Sequence, residues 1–317
     1  MNFEKNNHDV VCFGEVLWDI LPSGSEPGGA PMNVAYHLHK QSKNPAVITR
    51  IGMDKEGKKL LDIFSAFGVC TDYFQVDENM ETGKAVAKPN EYNEVVYDIV
   101  QPVAYDFIEW QDKLANLVST ASYFVYGSLA ARNDESKSTL LRLLEKAKTK
   151  VLDINLRAPH YNRRIVEELL EHADFLKLNL AELELITGWF SNHTSIEDRL
   201  ISLRGQFNIN QIVVTMGDKG AIYLNDEKIY HYQGYTVDVI DTIGSGDAFL
   251  AALLSKLIDR APPEEVLQFA CSIGAFVASC KGACPEYDLT MVNERIKAKS
   301  NSTLISNNIN IYLCEKL

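Results

Sequence analysis

Short apolar segments with strand character recur along this chain with helical segments between them, and this alternation constrains the fold more than any other feature. The predicted strands lie at residues 10–13, 46–51, 122–126, 150–155, 174–179 and 211–215. Strands that alternate with helices predict an α/β fold, in which helices cover both faces of a mostly parallel sheet. Ligands of such sheets bind beyond the carboxyl ends of the strands, so residues at those ends are the first candidates for a site.

Residues 69–107 interrupt this alternation. Three segments rich in β-formers are separated there by short polar turns, and residues 90–93 have the composition of a hairpin tip. Together with the extended residues 15–20, this segment predicts a β-rich insert within a single domain of residues 1–317. The residues leave two interpretations open, because the insert would suit either a cover over a site or a surface for dimerisation.

A glycine-rich turn opens directly into a helix at residues 241–257. Gly244, Ser245 and Gly246 carry little or no side chain, so their backbone N–H groups can approach a ligand closely. The unpaired N–H groups and the dipole of a helix N-terminus favour a bound anion. Asp247 follows in the first helical turn, where it would either handle a proton beside a bound phosphate or only stabilise the helix.

Polar residues near the N-terminus form a second candidate group. Asp19 interrupts an apolar run, and a carboxylate there needs hydrogen bonds, so it either caps a turn or binds hydroxyls. Gly28 and Gly29 predict a tight turn before a helix. Asn33 lies in the first turn of that helix, and its amide can donate and accept, as vicinal hydroxyls require. An ordinary helix-start asparagine is the alternative.

Several further polar residues and glycines follow the predicted parallel strands. At or just beyond the strand ends lie Asn155, Arg157, Asn179, Glu182, Thr215 and Gly217. The turn at residues 241–247 is predicted to lie at the same edge of the sheet. This convergence predicts a single binding site there, and it does not depend on any one motif.

Composition and missing motifs exclude several classes of protein. A net charge of −12 argues against a protein that binds the nucleic-acid backbone. The sequence lacks a P-loop, a Gly-x-Gly-x-x-Gly turn after the first strand and a Gly-x-Ser-x-Gly elbow. No signal peptide or run of about 18 apolar residues is present, and the six cysteines lack zinc spacing. We therefore expect a cytoplasmic protein without a membrane partner.

Three of these motifs resemble those of the ribokinase-like (PfkB-type) carbohydrate kinases, and the resemblance extends over residues 9–298. Residues 28–33 resemble the sugar-binding motif of that family. Residues 241–247 resemble its C-terminal motif, with Ser245 where the family usually has alanine. Asn179-x-x-Glu182 resembles its magnesium-organising motif.

Within that family, residues 14–19, 127–132 and 153–159 look most like bacterial fructokinases. The resemblance implies a three-layer αβα ribokinase-like fold with a small β-sheet lid. It also implies an ATP-dependent kinase that transfers the γ-phosphoryl group to a sugar hydroxyl, with D-fructose as the expected acceptor. The alternatives are the same reaction on 2-keto-3-deoxygluconate, ribose, a nucleoside or a sugar phosphate, and a non-catalytic sensor of sugar or nucleotide.

The resemblance assigns roles residue by residue. By this resemblance, Asp247 would act as the general base, and Gly244, Ser245 and Gly246 would form an anion hole for the transferred phosphoryl group. The sugar would be bound by Asp19, Gly29, Asn33, Asn155 and Arg157. The nucleotide would be bound by Asn179, Thr215, Gly217, Gly220, Gly244 and Gly246.

The same resemblance implies metal ions and a partner subunit. Glu182 and Asn179 would hold Mg²⁺ through water molecules. A K⁺ ion would lie near Asp241, Ile243, Val277 and Gly282. A homodimer would form through the lid sheet. ATP and a small sugar are the expected substrates.

Overall fold

A computed structural model of the chain describes residues 8–22, 24–89, 95–300 and 310–313. The chain divides into two compact units, Met1–Lys148 and Thr149–Leu317. The hairpin tip predicted at residues 90–93 lies outside the described residues. Organisation as a single domain stays a prediction.

Parallel strands form the main sheet of the first unit. Its strands are β1 (Val10–Phe13), β2 (Leu17–Leu21), β3 (Gly24–Gly28), β4 (Pro45–Gly52), β5 (Phe74–Asp77), β6 (Gly83–Pro89), β7 (Val95–Ile99) and β8 (Tyr123–Gly127). Its helices are α1 (Ala30–Lys40), α2 (Lys55–Ala66), α3 (Asp112–Thr120) and α4 (Asp134–Leu144). The main sheet has the order β8-β1-β4-β5, with Val10 opposite Pro45 and Tyr123. All residues of β1 are buried, so both faces of the sheet are covered, as the sequence predicted.

A second, four-stranded sheet of this unit has the order β3-β2-β6-β7. Strand β2 runs parallel to β6, and the two outer pairs are antiparallel. Three residues of this small sheet, Leu17, Ala85 and Ile99, form a buried apolar cluster with Val103, Tyr105 and Leu129. Its place in the chain agrees with the predicted β-rich insert, and its role as a lid stays a prediction.

The first strand of the predicted insert, β5, joins the main sheet instead. Strand β4 is long enough to pair with β1 over its first half and with β5 over its second half, where Thr49 lies opposite Phe74. The Arg50 Nε atom lies 2.8 Å from an oxygen of Asp77, the last residue of β5. This ion pair across the two strands stabilises their register. The small sheet consists of residues 17–21, 24–28, 83–89 and 95–99.

The second unit combines three parallel strands with an antiparallel extension. Its strands are β9 (Lys150–Asp153), β10 (Phe175–Asn179), β11 (Gln211–Thr215), β12 (Ala221–Asn225), β13 (Lys228–Tyr232) and β14 (Asn310–Leu313). Its helices are α5 (Arg163–Glu171), α6 (Leu180–Thr187), α7 (Ile196–Phe207), α8 (Ser245–Ile258), α9 (Pro263–Ala278) and α10 (Leu289–Ser300). Strands β9, β10 and β11 are parallel, so their carboxyl ends lie at one edge.

Three antiparallel pairings extend this sheet, and the first joins β12 to β11, with Thr215 opposite Ala221. Strands β12 and β13 form a hairpin, with Asn225 opposite Lys228. Strand β14 pairs with β13, so part of the C-terminal segment adds a strand. In the described ranges, no helix is both long and apolar enough to cross a membrane.

Candidate active site

The turn before α8 has a backbone conformation that requires glycine. Gly244 has a φ of 74°, and a Cβ atom built on it would lie 2.5 Å from the Cβ atom of Ala283. The next residue closes the turn, since the Ser245 N–H and hydroxyl both donate to the Thr242 carbonyl, at 3.2 and 2.8 Å. The turn is therefore packed closely against residue 283 and leads directly into the helix.

One backbone donor at this helix start is left for a ligand. Over the ranges that the structure describes, the Gly246 N–H has no hydrogen-bond partner. The Ser245 N–H, which was also predicted to face a phosphate, donates to Thr242 within the turn. Asp247 is half-buried in the first turn of α8. A free N–H group and a carboxylate thus lie next to each other at the positive end of a 14-residue helix.

A buried ion pair lies beneath this helix start. The Lys177 Nζ atom is 2.9 Å from both carboxylate oxygens of Asp153, its neighbour across β9 and β10. A Cβ atom built on Gly246 would lie 3.1 Å from the same Nζ atom. Burial lowers the pKa of Lys177, but the charges of Asp153, Asp247 and Glu182 outweigh it, and the pKa is raised overall. The lysine is therefore a permanent cation among three carboxylates.

Lys177 was not among the site residues predicted from the sequence. Its signal was nevertheless present, because a lysine occupies the centre of the otherwise apolar strand Phe175–Asn179. A charge inside a strand that is buried on both faces needs a partner. The partner, Asp153, lies 24 residues earlier in the chain and could be identified only from the pairing of the strands.

Glu182 is held by backbone donors from two segments. Its Oε2 atom accepts from the Asn179 N–H and its Oε1 atom from the Leu156 N–H, both at 2.8 Å. The Asn179 side chain accepts in turn from the Glu182 N–H at 2.9 Å, which completes a capping box at the start of α6. Burial raises the pKa of Glu182, and Lys177 and the backbone donors oppose that rise.

This arrangement fits a hydrated divalent cation. Each oxygen of Glu182 accepts a single backbone N–H and keeps a second acceptor site, which can accept from metal-bound water. The residues described contain no group of three or more His, Cys, Asp or Glu side chains that could enclose a metal ion directly. Binding through water molecules is therefore the mode that this carboxylate supports.

The predicted nucleotide residues lie at the end of β11. Thr215 is the last residue of that strand and lies opposite Asn179 of β10. Gly217 has a φ of 61° and no atom within 4 Å of a built Cβ atom. Gly220 has a φ of 87°, and its built Cβ atom would lie 2.0 Å from the Tyr232 carbonyl oxygen. Backbone packing by itself thus explains the glycine at 220, whereas Gly217 lies in open space.

Asp241 joins the segments predicted to surround a monovalent cation. Its two carboxylate oxygens accept from the N–H groups of Ile243 at 3.0 Å and Gly282 at 3.2 Å. The Val277 carbonyl accepts from the Cys280 N–H at 2.9 Å. The structure therefore links three of the four predicted residues directly, and their role in binding K⁺ stays a prediction.

Two predicted sugar residues follow β9. Asn155 has a φ of 38°, a left-handed conformation that asparagine tolerates better than most residues. Arg157 is exposed, and its side chain forms no hydrogen bond or ion pair with any residue that the structure describes. Both residues closely follow Asp153, the last residue of β9, and so lie just beyond the carboxyl end of that strand.

In the first unit, two glycines allow Asp19 and the start of α1 to lie close together. A Cβ atom built on Gly28 would lie 2.2 Å from an oxygen of Asp19, and one on Gly29 would lie 2.3 Å from the Glu15 carbonyl oxygen. The Gly29 carbonyl accepts from the Asn33 N–H at 2.9 Å, which starts α1. Asn33 is buried, although it is polar. Asp19, Gly29 and Asn33 thus belong to one local structure.

Comparison with known proteins gives a consistent result. A model of the pfkB family carbohydrate kinases matches residues 9–288. A fructokinase of Solanum tuberosum is 30% identical over 300 residues, which cover 87% of this chain and 91% of that protein.

Two crystal structures show the same fold. The structure of a fructokinase with bound ATP from Xylella fastidiosa is similar with a TM-score of 0.80 at 23% identity, over 92% of this chain and 98% of the other. The structure of a fructokinase from Vibrio cholerae O395 with fructose, ADP and calcium bound has a TM-score of 0.79 at 24% identity, over 92% and 100%. The predicted α/β ribokinase-like fold is confirmed.

Proposed function

This chain belongs to the pfkB family of carbohydrate kinases, and we propose that it transfers the γ-phosphoryl group of ATP to a hydroxyl of D-fructose. The start of α8 is the observation that carries the chemistry, because it combines a free backbone donor with an adjacent carboxylate. A phosphoryl transfer needs both features: a base for the attacking hydroxyl and a donor for the charge on the transferred group.

In the proposed mechanism, Asp247 accepts the proton of the attacking hydroxyl. The Gly246 N–H and the positive end of the α8 dipole stabilise the negative charge that develops on the phosphoryl oxygens. Asp247 lies in the same helical turn as this donor, so both act on one reacting centre. Ser245 contributes by closing the turn through its two hydrogen bonds to Thr242.

Glu182 and Asn179 would hold Mg²⁺ through its water molecules. When bound, the metal ion neutralises phosphate charge. The protein contributes a carboxylate that two backbone N–H groups hold in one orientation. We propose that Asp241, Ile243, Val277 and Gly282 surround K⁺ nearby, since Asp241 already ties residues 243 and 282 together.

We propose that Thr215 and Gly217 contact the nucleotide and that Asp19, Gly29, Asn33, Asn155 and Arg157 contact the sugar. The open space around Gly217 suits a ligand that approaches the backbone. Gly220 supports this region by permitting close contact with residue 232, and its contribution to nucleotide binding would be indirect. The small sheet is the proposed lid, which would exclude water and so prevent loss of ATP to hydrolysis.

We further propose that the protein forms a homodimer through this small sheet. The edge strand β7 exposes Tyr97, and Val100, directly after the strand, is also exposed. An exposed edge strand with apolar residues favours association with another chain. Sedimentation of the full chain would measure a dimer, and a monomer at all concentrations would contradict this proposal.

A panel of acceptors tests the proposed function directly. ADP release would be measured with Mg²⁺ and K⁺ present, for D-fructose, ribose, 2-keto-3-deoxygluconate, a nucleoside and fructose phosphate. We expect the highest kcat/KM with D-fructose. A higher kcat/KM with another acceptor would identify that acceptor as the substrate. Binding of sugar and ATP without turnover would instead indicate a sensor.

Replacing Asn33 by alanine is expected to weaken sugar binding and to leave ATP affinity nearly unchanged. A lost polar contact to a substrate hydroxyl costs about 1–3 kcal/mol, or roughly a five- to 150-fold rise in sugar Kd. Calorimetry would measure both ligands. Asn133→Ala is the matched control, because Asn133 caps α4 of the same unit and accepts from the Glu135 N–H. Loss of ATP affinity with unchanged sugar affinity would assign the N-terminal motif to the nucleotide.

A further inference from the structure

Neither core packing nor the functions proposed above for other residues account for the buried Lys177–Asp153 pair. We propose that Lys177 is a positioning residue: held by Asp153, its ammonium group supports the first turn of α8 at Gly246 and keeps Asp247 in place relative to Glu182. This inference rests on the proposed function, because it concerns the groups that would perform the phosphoryl transfer.

The geometry of the ion pair indicates a fixed support. Asp153 accepts from Nζ with both oxygens at 2.9 Å, and the two residues are opposite each other on adjacent strands. The two side chains are only 9% and 5% exposed. Strand pairing and two charge-assisted hydrogen bonds thus restrict the ammonium to one position.

The ammonium group lies directly against the backbone of α8. A Cβ atom at position 246 would be 3.1 Å from Nζ and 3.8 Å from Cε of Lys177, so the α8 backbone approaches the lysine without an intervening side chain. Gly246 is also the residue whose N–H has no hydrogen-bond partner in the part of the chain that the structure describes. The lysine therefore contacts the turn that presents both the donor and Asp247.

The same lysine is linked to the proposed metal site. Glu182 follows Lys177 by five residues and lies in the first turn of α6, which starts directly after β10, so a short connection between two regular elements joins the two residues. The charges of Asp153, Asp247 and Glu182 all act on Lys177. The ammonium therefore offsets the repulsion among these three carboxylates, and its loss is expected to shift Asp247 relative to Glu182.

Stability by itself does not require a charged pair at this place. A buried ion pair can be replaced by apolar residues of similar volume with little loss of stability, whereas removal of one partner costs roughly 3–5 kcal/mol. This difference permits a test in which structural support and the position of the catalytic groups are measured separately.

The test compares Lys177→Met, Asp153→Leu with Lys177→Met, and Asp153→Asn. The double variant removes both partners of the pair, so neither is left as an unpaired charge, and Asp153→Asn retains the ammonium group and an acceptor for it. Thermal unfolding, kcat, the KM of each substrate and hydrogen exchange of the amides at residues 246–248 would be measured. The single lysine variant reports the cost of an unpaired carboxylate.

We expect the double variant to fold with nearly the wild-type Tm, to lose roughly 30-fold or more in kcat, and to change each KM by less than about threefold. Its amides at residues 246–248 are expected to exchange faster than those of the wild type. Asp153→Asn is expected to keep kcat within about fivefold of the wild type.

Two outcomes would overturn the inference: a double variant with wild-type kcat and exchange, or an Asp153→Asn variant that loses as much kcat as the double variant. The first would make the pair a packing feature, and the second would assign the effect to Asp153. An inactive wild-type protein would instead contradict the proposed function, and the exchange rates would still test the support of α8.

Discussion

The Asp247→Ala variant is expected to lose kcat by a factor of roughly 10² or more, because removal of a general base typically costs 10²–10⁴ in rate. The loss would fall mainly on kcat, since Asp247 acts on the proton of the attacking hydroxyl rather than on the binding of either substrate. Steady-state kinetics with D-fructose and ATP would measure the effect.

A matched control separates this role from simple stabilisation of a helix. Asp198 is an exposed acidic residue in the first turn of α7, where it interacts with Ser195. Asp198→Ala removes a first-turn carboxylate and is expected to cost about 0.5 kcal/mol of stability with kcat unchanged. If Asp247→Ala behaves in the same way and phosphorylates sugar at a nearly normal rate, Asp247 is a helix-stabilising residue and not the base.

The Gly220→Ala variant is expected to lose roughly 3 kcal/mol or more of unfolding free energy. The added Cβ atom would lie 2.0 Å from the Tyr232 carbonyl oxygen and 2.4 Å from the Gly234 nitrogen. Both atoms belong to the backbone, so relief requires the segment after β13 to move. Gly220 also has a φ of 87° and a ψ of −134°, a conformation that is costly for alanine.

Gly217→Ala provides the comparison within the same turn. Gly217 has a φ of 61°, and a built Cβ atom meets nothing within 4 Å, so only the left-handed conformation costs energy, about 1 kcal/mol. Denaturant unfolding would measure both variants, and calorimetry would measure ATP binding. Equal free energies of unfolding would show that the segment after β13 moves at little cost. Packing would then not explain the glycine at position 220, and a direct contact of Gly220 with the nucleotide would be the better assignment.

The sequence predicted the α/β class well because its evidence was local and repeated. Each buried parallel strand is a short apolar run, and each turn has glycine or polar residues, so the alternation was visible without knowledge of the pairing. The motif at residues 241–247 could be placed at a helix start for the same reason. The structure confirms that Ser245–Ile258 is a helix whose preceding residue is a left-handed glycine.

Three features of the structure differed from the predictions or were missed by them. The Ser245 N–H was expected to face a phosphate, but it closes the turn at Thr242. Strand β5 was expected in the insert, but it pairs with β4, where Asp77 meets Arg50. Lys177 was not identified as a site residue, because the importance of its charge depends on two neighbours from other segments, Asp153 and Gly246.

The sequence alone therefore determined the class of fold, the family and the helix start that carries the proposed chemistry, since periodicity and short motifs are properties of neighbouring residues. Only the tertiary structure decided which glycines are required by packing, which N–H groups are free, and which charges meet. Asp153, Lys177 and Gly246 lie far apart in the chain, and their contact follows from the parallel pairing of β9 with β10 and the packing of α8 against Lys177. The local sequence shows no pattern for such a contact, because its free energy arises only when separate segments pack against each other and exclude water.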